Sequence, residues 1–99
     1  MSTTLHVIAH SPFGDERLSS CLRLLGAEDA LLLCGEAVQA LRSGTAPCTL
    51  LRDAGLQGRL FALAEDLDAR DVVSELAQRL DYPGFVDLTL RHDKVNTWL

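Results

Sequence analysis

The chain is almost without lysine. Lys94 is the only one, and the eight arginines are spread along the sequence rather than gathered. Against nine Lys and Arg stand fourteen Asp and Glu, for a net charge of −5. Nucleic-acid binding draws much of its affinity from phosphates neutralised by a basic face, which this composition does not supply. Direct nucleic-acid binding is therefore not expected, and any role in RNA metabolism would run through protein partners.

Long apolar runs are missing as well. None exceeds the length of Ala30–Cys34, far short of what a bilayer span needs, and no apolar signal region is visible. The expectation is a cytoplasmic protein with no membrane contact and with free thiols. Three cysteines, Cys21, Cys34 and Cys48, lie thirteen and fourteen residues apart, match no zinc spacing and cannot all pair within one chain. There is no Gly-rich phosphate loop, no Ser-His-Asp signature, no internal repeat and no low-complexity segment. No cofactor or metal is expected.

What the chain has is apolar side chains: 47% of its 99 residues, against 23% charged. That length makes one domain, residues 1–99, and such a small unit buries only a modest fraction of its surface. Subunit contact would extend the core, so oligomerisation is expected.

Leu5–Ala9 reads as a strand closed by the turn signal HSPFGD. Leu18, Cys21, Leu22 and Leu25 share one helical stripe, which Gly26 ends. Ala30–Cys34 is a buried strand, Glu36–Arg42 a short helix, Cys48–Leu51 a weaker strand candidate and Arg59–Leu63 a third clear strand. Asp68 then reads as an N-cap, with Val72, Val73, Leu76, Ala77 and Leu80 on one helical face. The tail from Asp81 fits both periods: Val86, Leu88 and Leu90 alternate, while Phe85, Leu88, Thr89 and His92 form a helical stripe. Alternating strand and helix patterns predict an α/β fold with a parallel sheet between helices, whose ligands would lie beyond the carboxyl ends of the strands.

Each reactive residue has a functional and a structural reading. Cys34 ends a strand and precedes a helix, whose amides could favour a thiolate, but Glu36 opposes that charge and buried cysteine commonly acts as a small hydrophobe. Packing is the reading the sequence favours. Cys21 lies on an apolar stripe, with Arg17 one turn away to lower its pKa; here too pattern alone favours packing. Nothing near Cys48 activates it. His6 and His10 point to one side of a strand, yet no third metal ligand stands at a telling spacing. His92-Asp93 reads as an exposed helix end, and Glu65, Asp66, Asp68 and Asp71 as a solvated face that could receive a basic partner. The terminal Trp98-Leu99 fits a neighbour's groove or the chain's own core.

Four stretches in order, LHVIAHSPF, LRLLGAEDALLL, ALAEDLDAR and DYPGFVDLTLRHDKVNTWL, together resemble the TusB/DsrH family of sulfur-relay subunits. The shared features are Leu5-His6, Ser11-Pro12, the Glu65, Asp66, Ala69, Arg70 group, and Phe85, Val86, Leu88, Thr89 and His92 with Trp98. The resemblance implies a small three-layer DsrE-like α/β fold, helical over Tyr82–His92 with a short strand near Val95–Trp98. It implies assembly with TusC/DsrF-like and TusD/DsrE-like subunits, usually as a heterohexamer, and a TusE/DsrC-like sulfur carrier as acceptor. The sulfur would end on the wobble uridine of tRNA or, in the Dsr branch, feed sulfur oxidation; the alternative from another class is a stand-alone homodimeric binding module without sulfur chemistry. The principal sulfur-bearing cysteine would belong to the TusD/DsrE-like subunit. DsrH-like members carry a cysteine in a Ser-Cys-Leu context in the first helix, which is where Cys21 stands, so Cys21 becomes the candidate secondary sulfur carrier. The family's Asp-Gly-Val after the second strand is replaced by Glu36-Ala37-Val38, which weakens any claim for a reactive loop beside Cys34.

Overall fold

Short runs of Leu, Val, Ile and Phe, too apolar to alternate, form the middle of a sheet covered on both sides. In the computed structural model, which describes residues 2–98, these are β1 (Thr4–Ile8), β2 (Ala30–Leu33) and β3 (Leu60–Leu63). Two further strands, β4 (Gln78–Leu80) and β5 (Lys94–Trp98), form the edges. The order is β4-β3-β2-β1-β5, and every neighbouring pair is parallel. Both β2 and β3 are buried along their whole length, while β5 is exposed from Lys94 to Thr97. The tail strand thus forms an edge, beside β1.

Because side chains alternate across a strand, the sheet has two apolar faces. On the first, Ile8, Leu31, Leu33, Leu60 and Ala62 meet residues of α1 (Arg17–Leu24), a 3-10 helix (Gly35–Leu41), α2 (Ala46–Asp53) and α3 (Ala64–Ala69). On the second, Leu5, Val7, Leu32, Phe61 and Leu63 meet Leu88, with Phe85 beside it, from one helix, α4 (Tyr82–Leu90). Leu31, Leu32 and Leu33 are wholly removed from solvent. Each such side chain contributes about 1.5–3 kcal/mol relative to an exposed one.

Two expectations are corrected. The Cys48–Leu51 strand is instead the middle of α2. Thr45 caps that helix, its side chain accepting from the Cys48 N–H, and Pro47 sits in the first turn, where a missing N–H costs nothing. Cys48 and Leu51, three apart, are its buried face. The helix expected from Asp68 to Leu80 is also absent. The helix there begins earlier, at Ala64 directly after β3, and ends before Asp71, whose φ of +53° leaves the right-handed region. Val72 and Ala77 are buried from non-helical backbone while Val73 is 87% exposed, and Leu80 lies in β4 opposite Leu63. The tail follows the family resemblance: α4 from Tyr82 to Leu90, with Asp81 accepting from the Gly84 N–H as its cap, then β5.

Candidate functional site

The carboxyl ends of β1, β2 and β3 converge where the 3-10 helix and α3 begin. Gly35, with φ +53°, turns the chain out of β2; a Cβ there would stand 3.2 Å from the Ala9 carbonyl oxygen, so glycine lets the two strand ends approach. Its N–H donates to Asp66 Oδ2 at 2.8 Å. Arg70 extends from the end of α3 to Glu36 (3.1 Å) and to Asp66 Oδ1 (3.6 Å), so the acidic run is partly neutralised within the chain. Asp68 receives Arg79, with both carboxylate oxygens at 3.0 Å.

Cys34 is half-buried at this end of the sheet. Its thiol reaches the Ile8 carbonyl oxygen at 3.7 Å, and burial, reinforced by the Asp66 charge, pushes its pKa up. Helix amides do not turn it into a thiolate. Cys48 is buried on α2, 3.9 Å from the Leu41 carbonyl oxygen.

Cys21 is wholly inaccessible between α1 and the first face of the sheet. Burial, followed by the Asp29 charge, pushes its thiol up to about 12. Arg17, placed by helix spacing to lower that value, forms an ion pair with Asp15. Sulfur chemistry at Cys21 would require α1 to lift from the sheet, since only an exposed thiolate attacks.

The second polar centre lies at the opposite end of the first face. His6, 6% exposed, has Nε2 3.4 Å from Asp29 Oδ2, while its Nδ1 accepts from Trp98 Nε1 at 3.1 Å. Asp29 also accepts from the backbone N–H groups of Thr4 (2.9 Å) and Gly26 (2.8 Å). Burial would raise its pKa, but these two hydrogen bonds and the contact with His6 outweigh that and hold it below the usual carboxylate range. Trp98 is half-buried against its own core, and Leu99 lies outside the described residues. Sequence reasoning singled out His6 and Trp98 but not Asp29. The available signal was an acid placed just before a strand whose parallel neighbour carries a histidine.

His10 is exposed past the end of β1 and does not join His6. His92 Nδ1 stands 2.9 Å from the Leu88 carbonyl oxygen at the end of α4, and Asp93 accepts from the Thr3 N–H at 2.9 Å. Among the described residues, no three His, Cys, Asp or Glu side chains are grouped to hold a metal ion, and no helix is long and apolar enough to cross a membrane.

The fold is similar to that of the ychN protein from E. coli, with a TM-score of 0.80, 21% identity, and coverage of 99% of this chain and 100% of that one. In sequence, the chain is 36% identical over 97 residues to Protein TusB of Yersinia enterocolitica, covering 95% of this chain and 99% of that protein. Protein TusB of Erwinia tasmaniensis is 36% identical with the same coverage. A family profile described as DsrH like protein matches residues 10–95. Matched along nearly its whole length by TusB proteins and over residues 10–95 by that profile, the chain belongs to the DsrH-like (TusB/DsrH) family.

Proposed function

We propose that this chain is a non-catalytic subunit of a cytoplasmic sulfur-relay complex, assembled with TusC- and TusD-like chains in a heterohexamer and serving 2-thiolation of the tRNA wobble uridine. In the transfer step, the thiolate of a TusE-like carrier attacks the outer sulfur of a persulfide held on a partner subunit. The carrier gains that sulfur as its own persulfide, the S–S bond to the partner breaks, and the partner's thiolate leaves; no external oxidant is needed.

One observation within the family context supports a non-catalytic role: none of the three thiols has an open approach. Two are buried, and the half-buried Cys34 is pushed away from ionisation. The acidic balance agrees, since a subunit remote from the tRNA needs no basic face. Tyr82, Val86 and Leu90 leave one side of α4 apolar and exposed, as a chain completed by sister subunits would.

Gentle recovery of the tagged protein from its own cells tests the assembly. TusC- and TusD-like chains should accompany it, and their absence overturns the proposal. A second reading, a DsrH subunit in sulfur oxidation, is favoured by the Ser20-Cys21-Leu22 context. Sulfite-reductase genes beside this one would favour that branch. Cys21 as secondary carrier is tested by intact mass after incubation with a persulfide donor: an adduct lost in Cys21→Ser supports it, and equal adducts on the variant remove it.

A further inference from the structure

We infer that His6 latches the end of the C-terminal strand in a pH-dependent way, seating Trp98 when neutral and releasing it when protonated. The indole N–H can only donate, so the His6 Nδ1 that faces it at 3.1 Å must present a lone pair. The carboxylate of Asp29, 3.4 Å from Nε2, only accepts, so the single proton of the neutral ring sits on Nε2. Protonation adds the second proton at Nδ1, where it confronts the indole N–H. The two donors cannot share that space, and the ring then has one partner, Asp29.

The surroundings make this a two-position device. Asp29 is held ionised by the N–H groups of Gly26 and Thr4, so it can receive an imidazolium. From α1 the titratable neighbour is Cys21, a buried thiol that stays neutral and offers no competing charge. From the loop before β3, the Arg59 guanidinium donates to the Asp29 carbonyl oxygen at 2.8 Å, not to its carboxylate. From β5 the residues on this side are Lys94, paired with Thr4, Asn96, paired with His6, and Trp98; of these only Lys94 is charged, and it is exposed at the start of the strand, two positions before the residue paired with His6. Residues Lys94 to Thr97 of β5 are exposed, so the half-buried indole, tilted 38° to the imidazole at a 6.2 Å centroid separation, is the strand's anchor in the core.

Trp98 is the only tryptophan, which makes its fluorescence a direct readout. In the full-length chain, lowering the pH from about 8 to about 5, the range in which histidines change charge, should red-shift the emission maximum. Acrylamide quenching should rise over the same range while far-UV circular dichroism stays constant. At the upper pH, nitrogen NMR should show the His6 proton on Nε2. His6→Asn, whose side-chain oxygen can occupy the Nδ1 position, should keep the blue-shifted emission throughout. Asp29→Asn should move the transition to lower pH, because the imidazolium loses its counter-charge. An emission maximum unchanged down to the lower pH overturns the latch, as does the same transition in His6→Asn, a ring protonated on Nδ1, or a loss of circular dichroism that tracks the fluorescence.

Discussion

The two faces of the sheet are covered very differently. Four helical segments close the first face over Leu31, Leu33 and Ala62, all fully buried, and this side also holds Cys21 and the His6–Asp29–Trp98 centre. Among the described residues the second face has α4 alone, and Phe61 and Leu63 beneath it remain at the margin of burial. A helix that is apolar toward the sheet and also exposes Val86 and Leu90 (79% exposed) is one whose outer side suits a further layer. The first face buries more of the chain's apolar side chains, and the exposed side of α4 is where the proposed subunit contact would gain most.

Substitution at the centre of the first face should have the largest effect. Leu33→Ala leaves a cavity under several rigid elements and should cost about 2–5 kcal/mol in urea unfolding. Leu88→Ala, beneath the single helix of the second face, should cost less within that range, because α4 can settle toward the sheet. Equal losses at the two sites would break the comparison.

Asp29→Ala removes the acceptor for two backbone N–H groups and the partner of His6, and should cost about 1–3 kcal/mol. Since folding holds this carboxyl below its usual 3.8, its contribution is present above that value and disappears as the pH falls through the folded one. Acid titration of stability should therefore be shallower in the variant.

Cys21 gives an alkaline counterpart. Its thiol stays neutral in the fold up to about 12 but ionises near 9.0 when unfolded, so its contribution is complete below 9.0 and lost as the pH rises toward 12. Cys21→Ala should flatten that alkaline decline. Thiol-labelling rates sharpen the same contrast: Cys34 should react first, and Cys21 only as the chain unfolds.

The smallest effect on stability belongs to the outer side of α4. Val86→Asp with Leu90→Glu should change unfolding free energy by no more than about 0.5 kcal/mol per site, while recovery of partner chains falls. A large stability loss with partner recovery intact would assign these residues to the chain's own core.

The parts of the fold legible in sequence are those whose signal is local. Leu5–Ala9, Ala30–Cys34 and Arg59–Leu63 read as strands, each within one residue of an observed strand at either end, because runs so short and apolar fit a doubly covered parallel sheet. The stripe from Leu18 to Leu25 read as α1. Thr45 and Pro47 carried the start of α2, but the apolar CTLL run was read by composition instead of by its cap. The misread segment after Asp68 has apolar positions that suit a helix. They are buried instead from an extended path that carries Gln78–Leu80 to the open edge of β3, a demand that no local window contains. Family resemblance supplied the helical tail where periodicity was ambiguous.

At the site, residue types marked Cys21, Cys34 and His6 as chemically interesting, but chemistry depends on surroundings that sequence spacing does not reveal. Arg17 stands one helical turn from Cys21, yet the charge acting on that sulfur is the carboxylate of Asp29. By itself the sequence determined the alternating α/β class, the central strands and the acidic charge, because these follow from composition and short-range periodicity. Tertiary structure alone decided which thiols are shielded, where β4 pairs, and that His6 meets Trp98 across 92 positions of chain. Those outcomes depend on parallel strands bringing distant segments into register, and a hydrogen bond or a desolvated sulfur exists only once they are there.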